Sequence, residues 1–158
     1  MSTTTSGSDV LQLVTFKLGK QEYAVDILKV QEVNRIVEIT FMPNMDDAVE
    51  GVINLRGKVI PIVSLRKKFG MEANEADGKA RIMVIDAGRT VGLIVDSVSE
   101  VLRLSPDTVE QPPAVAQRGS LDYVKGVGKL ENRLVMLLDV EKLINGSMLH
   151  AAPEESIN

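Results

Sequence analysis

The 158-residue sequence lacks cysteine and tryptophan, and it contains one histidine, His150, close to its end. Without cysteine the chain cannot form a disulfide framework, a thiolate metal site or a thiol nucleophile. Nucleophilic catalysis by serine needs a general base, and the usual zinc site needs several imidazoles or thiolates. One histidine in a polar tail supports neither, so we predict a protein that is not an enzyme and holds no metal.

Acidic residues outnumber basic ones, with a net charge of -4 and a pI near 5.1, and aromatic residues are scarce, with three Phe and two Tyr. Nucleic-acid binding needs cations for the phosphates and rings for stacking, so we predict none. The sequence has no glycine-rich motif of the kind that cradles nucleotide phosphates, which argues against a cofactor. It has no apolar run of about 18 residues and no signal peptide at its start, so we predict a cytoplasmic protein without membrane insertion.

Short β-rich runs separated by turn residues fill the sequence from residue 10 to residue 149. Ten such runs predict ten strands and a mainly-β fold. Two short helical segments are predicted, at Leu65–Phe69 and at Val140–Leu149, where apolar residues recur at helical spacing. The Ser/Thr-rich residues 1–9 and the polar residues 150–158 are predicted to be disordered tails.

The sequence also repeats itself. Val30–Ile36 aligns with Val98–Leu104 at an offset of 68 (98 minus 30), and the same offset places Phe16 on Val84. Two copies of a five-strand unit predict two small β-barrels related by an approximate two-fold axis.

A second stretch repeats at a larger offset, since Gly51–Val63 aligns with Gly126–Leu138 at an offset of 75 (126 minus 51). The second half therefore carries seven extra residues (75 minus 68), which we place in the loop within residues 110–122. The halves are residues 10–70 and 80–140, with a linker at residues 71–79. Because a barrel of this size has a thin core, we expect an extensive apolar seam between the two halves.

Two charged residues stand within otherwise apolar strands. Glu32 lies in Val-Gln-Glu-Val, where strand alternation places Val30 and Glu32 on one face, so that face is either wet or part of an interface. Arg56 lies in a tight connection between two apolar strands. It is either a solvated hairpin residue or an arginine that donates hydrogen bonds to a partner.

Two longer strings carry a specific resemblance. Residues 22–33 (EYAVDILKVQEV) and residues 51–66 (GVINLRGKVIPIVSLR) resemble the two signature stretches of the CheW family, and the likeness extends over roughly residues 10–148. The resemblance implies two SH3-like five-stranded β-barrels. It also implies a non-enzymatic adaptor between methyl-accepting chemotaxis receptors and the regulatory domain of the histidine kinase CheA.

In that family the helical tip of the receptor is held in the groove between the barrels. The residues implicated there match Val30, Arg56, Val98 and Val101 of this sequence. Glu32 is placed with them, although the resemblance leaves open whether it contacts the receptor or the kinase. A helix laid in an apolar groove beside an arginine needs no catalytic group.

The kinase-binding residues are not identified by the resemblance. The loop from Pro112 to Asp122 is a candidate for a second kinase contact, with Val115 as its apolar anchor. The partners imply recruitment of a cytoplasmic protein to membrane receptor arrays. The alternative function is a small-molecule-binding or other scaffold protein that uses the groove between the barrels as its site.

Overall fold

The computed structural model describes residues 10–73, 77–112 and 123–145, and β-strands dominate them. Each of the ten predicted strand positions contains a strand, which confirms the mainly-β class, and the two-residue strand β9 is additional. The strands are β1 Leu11–Leu18, β2 Gln21–Asp26, β3 Val30–Arg35, β4 Val49–Leu55, β5 Lys58–Ser64, β6 Arg81–Asp86, β7 Thr90–Val95, β8 Ser97–Leu104, β9 Val109–Glu110, β10 Val124–Lys129 and β11 Leu134–Leu138.

Helices are few and short. Helix α1 begins where the Ser64 hydroxyl accepts a hydrogen bond from the backbone N–H of Lys67 at 3.2 Å. Both predicted helices are present, but the extension of the second one to Leu149 and the two predicted tails lie outside the described residues. In the described ranges no helix has the length and apolar character needed to cross a membrane. The helical segments are α1 Leu65–Lys68, α2 Val140–Asn145 and the 3-10 turns Ile27–Lys29 and Pro106–Thr108.

The strands form two sheets with the same internal order. Sheet A has the order β8-β1-β2-β11-β10-β9, and sheet B has the order β3-β6-β7-β5-β4. Apart from β9, each strand of sheet A occupies the place that its repeat counterpart occupies in sheet B. The two sheets are consistent with the two predicted barrels, but each sheet takes strands from both halves of the sequence, so neither barrel corresponds to one half.

The register of β1 corrects one alignment of the repeat. Phe16 is directly opposite Val98, and Ile85 is directly opposite Val30. Because Val30 and Val98 are equivalent, the counterpart of Phe16 is Ile85 and not Val84. A slip of one residue matters because it moves a side chain to the other face of the sheet.

The largest apolar cluster lies between the two sheets. The sequence predicted such a seam between the two halves, but because each sheet takes strands from both halves, the seam separates sheets and not halves. This seam cluster combines residues of sheet A, sheet B and α2, whereas two smaller clusters each belong to one sheet. Burial of apolar area stabilises the fold by about 25 cal/mol per Å², so the seam holds the two sheets together. The seam cluster is built around Phe16, Leu18, Leu138, Met83, Ile85, Leu93, Leu143 and Ile144.

Two ion pairs lie where the chain crosses between the sheets. Asp96, between β7 and β8, accepts hydrogen bonds from Nε and Nη2 of Arg66 at 2.8 and 2.6 Å and from the backbone N–H of Gly19 at 2.7 Å. Hydrogen bonding from Arg66, more than from Gly19, holds the pKa of Asp96 below its ordinary value of 3.8. At the other crossing, Nζ of Lys29 lies 2.7 Å from a carboxylate oxygen of Glu141 in α2.

Replacing Asp96 with asparagine is expected to lower the free energy of unfolding at pH 7 by about 2 kcal/mol, because a hydrogen-bonded charge is lost. The wild-type advantage is complete above the ordinary pKa of Asp96 and disappears as the pH falls through the lowered pKa of the folded state. Urea unfolding between pH 7 and pH 2 measures this difference. Lys29→Ala is the matched control at the more exposed crossing, and an equal loss in both variants would contradict the prediction.

A candidate partner-binding surface on strands β3 and β8

Strands β3 and β8 are repeat counterparts, and each forms an outer edge of its sheet. In both strands one residue is extra relative to the neighbouring strand, so both contain a β-bulge. A bulge turns the side chains that follow it to the other face, and bulges are often found next to functional sites. These edges hold four of the five residues predicted to bind the receptor.

In β3 the bulge separates two residues that alternation had placed together. Val30 lies opposite Ile85, whereas Glu32 lies opposite Val84, and Gln31 is the extra residue between them. Side chains that are directly opposite on neighbouring strands share a face, and Val84 and Ile85 face opposite sides. The prediction that Val30 and Glu32 lie on one face is therefore wrong.

The same bulge places Val33 on the face of Val30. Val33 lies opposite Met83, a member of the seam cluster, and is 38% exposed, while Val30 packs half-buried against the seam cluster. The residue pattern did not single out Val33. The repeat contained the signal, however, because Val33 aligns with Val101 at the offset of 68.

In β8 the predicted residues do share a face. Val98 lies opposite Phe16, and Val101 lies opposite Val14, another member of the seam cluster. Val98 packs half-buried against the seam cluster, whereas Val101 is 56% exposed. We name Val30, Val33, Val98 and Val101 the valine surface, since all four extend from an edge strand on the side of the seam.

Arg56 reaches across to the edge strand of sheet B. Its φ of +51° and the φ of +85° at Gly57 match a two-residue hairpin turn, which the Asn54 carboxamide oxygen closes by accepting from the Gly57 N–H at 2.9 Å. The Arg56 guanidinium donates to the Glu32 carboxylate. This hydrogen bond lowers the pKa of Glu32. It also joins the β4–β5 hairpin to β3. The Arg56 side chain remains 71% exposed.

Sheet A contains a similar ion pair, although its arginine is not the repeat counterpart of Arg56. Glu100 aligns with Glu32, and its carboxylate accepts a hydrogen bond from Nη2 of Arg133 at 2.6 Å. Nε of Arg133 lies 3.0 Å from a carboxylate oxygen of Glu22, whose side chain is buried. In each edge strand a glutamate thus pairs with an arginine from the hairpin region of the same sheet.

A second group of exposed apolar side chains follows β3. The apolar run VQEVNRIVEI extends from residue 30 to residue 39, but β3 ends at Arg35. The next segment is held by two hydrogen bonds of 2.9 Å between the backbones of Thr40 and Val52. The most exposed member, Phe41, is 72% exposed. We name this group the β3–β4 patch, and its members are Ile36, Val37, Phe41 and Met42.

The remaining candidates are placed as follows. The loop candidate lies outside the described residues from residue 113 to residue 122, including Val115. One cavity is lined by sheet A and the turn at Ile27 and Leu28, and another lies beside Asn34 and Ile53 of sheet B. Neither contains Val30, Glu32, Arg56, Val98 or Val101, so these cavities give no support to small-molecule binding at the predicted site.

Comparison with known proteins agrees with this architecture. The sequence matches the family model of the CheW-like domain over residues 12–148. It is 38% identical to the chemotaxis protein CheW of Klebsiella aerogenes over 85% of this chain and 81% of that protein, and 34% identical to the chemotaxis protein CheW of Helicobacter pylori over 86% and 82%. The crystal structure of the scaffolding protein TtCheW from Thermoanaerobacter tengcongensis matches with a TM-score of 0.80 and 34% identity, over 88% of this chain and 97% of that chain. The chain therefore belongs to the CheW-like family of chemotaxis scaffold proteins.

Proposed function

We propose that this protein is a non-enzymatic adaptor that couples methyl-accepting chemotaxis receptors to the histidine kinase CheA. Family membership supports a role in chemotaxis signalling. The observation that carries the receptor assignment is the valine surface, which lies on the edge strands of both sheets on the side of the seam. Binding to receptors in a membrane would bring the protein to the membrane without insertion.

The valine surface suits an amphipathic helix. Val30 and Val98 each pack half-buried against the seam cluster, whereas Val33 and Val101 are more exposed and can be covered by a partner. A helix that docks in this way presents apolar side chains at intervals of three and four residues. The affinity would come from apolar burial, so no catalytic group is needed.

Arg56 suits a polar contact beside that helix. A guanidinium carries five N–H donors, and the bond to Glu32 occupies only part of them. The ion pair also restrains a side chain that would otherwise lose more conformational freedom on binding. We propose that Arg56 donates to carbonyl or carboxylate oxygens of the receptor and that Glu32 acts by orienting Arg56.

The β3–β4 patch is our proposal for a kinase-binding surface. It is apolar and exposed, and it follows β3 in the chain. The resemblance to the CheW family implies that the CheA regulatory domain is homologous to this chain, so we propose that two similar barrels pair through the apolar patch. We expect micromolar binding, which corresponds to about -8 kcal/mol.

Arg56→Glu and Phe41→Glu are expected to separate the two partners. In Arg56→Glu a carboxylate faces Glu32 in place of the guanidinium, so receptor affinity falls by about tenfold or more while kinase affinity is kept. In Phe41→Glu the reverse is expected, because a charge enters the β3–β4 patch. Calorimetric titration with the CheA regulatory domain, and separately with a receptor signalling fragment, measures both affinities for the wild type and each variant.

Several outcomes would contradict the proposal. If the wild type binds neither kinase nor receptor from its own cell, the adaptor function is wrong although the fold stands. If both variants lose both partners, Arg56 and Phe41 do not mark separate surfaces. Thermal stabilisation of the wild type by a metabolite, without binding to either protein, would favour the small-molecule alternative.

A further inference from the structure

We propose that Thr15, in the middle of β1, is a positioning residue that holds β8 in the bulged form needed for receptor binding. The inference rests on the proposed function of the valine surface. Thr15 touches no partner itself, because its side chain is fully buried. It acts through the backbone of Glu100, between Val98 and Val101.

Few polar side chains are buried in the described part of the chain, and two of them are linked by polar contacts to β8. Among the described residues they are Thr15, Glu22 and Ser64. Ser64 is explained by its capping of α1. The other two converge on Glu100, Thr15 directly and Glu22 through Arg133.

The Thr15 hydroxyl bonds to both backbone groups of one residue. It donates to the carbonyl oxygen of Glu100 at 3.3 Å and accepts from the Glu100 N–H at 3.2 Å. These contacts lie where the β1–β8 register shifts and Ser99 is the extra residue. A bulge interrupts the regular ladder of backbone bonds, and the hydroxyl supplies a donor and an acceptor at that point.

Without the bulge, Val98 and Val101 would not share a face. Two residues separated by three positions face opposite sides of a regular strand, and the extra residue brings them to the same side. Thr15 can therefore affect receptor binding through the shape of β8, although its own side chain is buried. The hydroxyl determines which side chains the edge strand presents.

The bulge in sheet B is held in a different way. The counterpart of Thr15 in the corrected repeat is Val84, which has no hydroxyl. The extra residue there, Gln31, donates through its side chain to a carboxylate oxygen of Asp86 at 3.3 Å. Thr15 thus serves the half of the valine surface on β8 alone.

Thr15→Val keeps the shape of the side chain and removes the hydroxyl, and it is expected to weaken binding of a receptor signalling fragment by about tenfold. Thr15→Ser keeps the hydroxyl and is expected to bind within about twofold of the wild type. Ser64→Ala is the stability control, because it removes the other buried hydroxyl, which bonds to the Lys67 N–H in α1 and not to β8. Binding of the CheA regulatory domain is expected to stay unchanged in all three variants.

Hydrogen exchange of the free protein separates this inference from the proposed function. Faster exchange of the Glu100 amide in Thr15→Val than in Thr15→Ser supports the positioning role. This holds even if the wild type binds no receptor fragment. In that case the proposed function is wrong and the positioning role of Thr15 stands. Unchanged exchange at Glu100 overturns the inference. Receptor binding equal to that of the wild type in Thr15→Val, or an equal loss in Ser64→Ala, also overturns it.

Discussion

Replacing Val98 with aspartate is expected to reduce receptor affinity by about a hundredfold or more while the protein remains folded. Val98 packs half-buried against the seam cluster and would lie beneath a docked helix. A carboxylate there would lose its water on binding without gaining a cationic partner, which is costly. In the free protein the edge position of β8 lets the same carboxylate reach water, so the fold is retained.

The control for charge is Val98→Thr, which keeps the branched shape and introduces a polar atom without a charge. We expect its loss of affinity to be much smaller than that of the aspartate variant. Calorimetric titration with the receptor fragment gives the affinities, and thermal unfolding shows whether each variant is cooperative. If folded Val98→Asp binds the receptor fragment as the wild type does, β8 is not part of the receptor site.

Replacing Gly51 with alanine is expected to destabilise the protein by about 4 kcal/mol, through overpacking and backbone strain together. Gly51 has a φ of +149°, and a β-carbon added there would lie 2.1 Å from the carbonyl oxygen of Thr40. That oxygen accepts the hydrogen bond from Val52 that joins the segment after β3 to β4. The substitution therefore also displaces the β3–β4 patch, and kinase binding is expected to weaken.

Gly57 provides the matched control. Its φ is +85°, but a β-carbon added there meets nothing within 4 Å. Gly57→Ala therefore includes the backbone strain without the steric clash, and about 1 kcal/mol is expected. Urea unfolding of both variants measures the difference, and similar losses in the two would show that the contact with Thr40 is not the cause.

The strand pattern was predictable because it is local. Alternation and turn residues mark each strand, and each predicted position contains one. The repeat also identified equivalent positions correctly within β3 and β8, where Val30 and Val98 both pack against the seam cluster. It failed by one residue for Phe16, since valine-rich strands align almost equally well in neighbouring registers.

The candidate site was only partly predictable. Val98 and Val101 were identified through the resemblance, yet their shared face depends on a bulge that local alternation does not reveal. The bulge in β3 likewise places Glu32 on the face opposite Val30 and adds Val33 to the valine surface. A bulge is a property of two paired strands, so a pattern read along one strand cannot contain it.

The sequence by itself determined the strands, the repeat and the family, because each follows from neighbouring residues or a direct match. Only the tertiary structure decided which strands share a sheet, which faces the bulges turn outward and which charges meet. The bonds between Thr15 and Glu100 join residues 85 positions apart, and the pair of Glu32 and Arg56 spans 24. Such contacts form only when the folded backbone brings distant segments together, and the specificity of the surface depends on them.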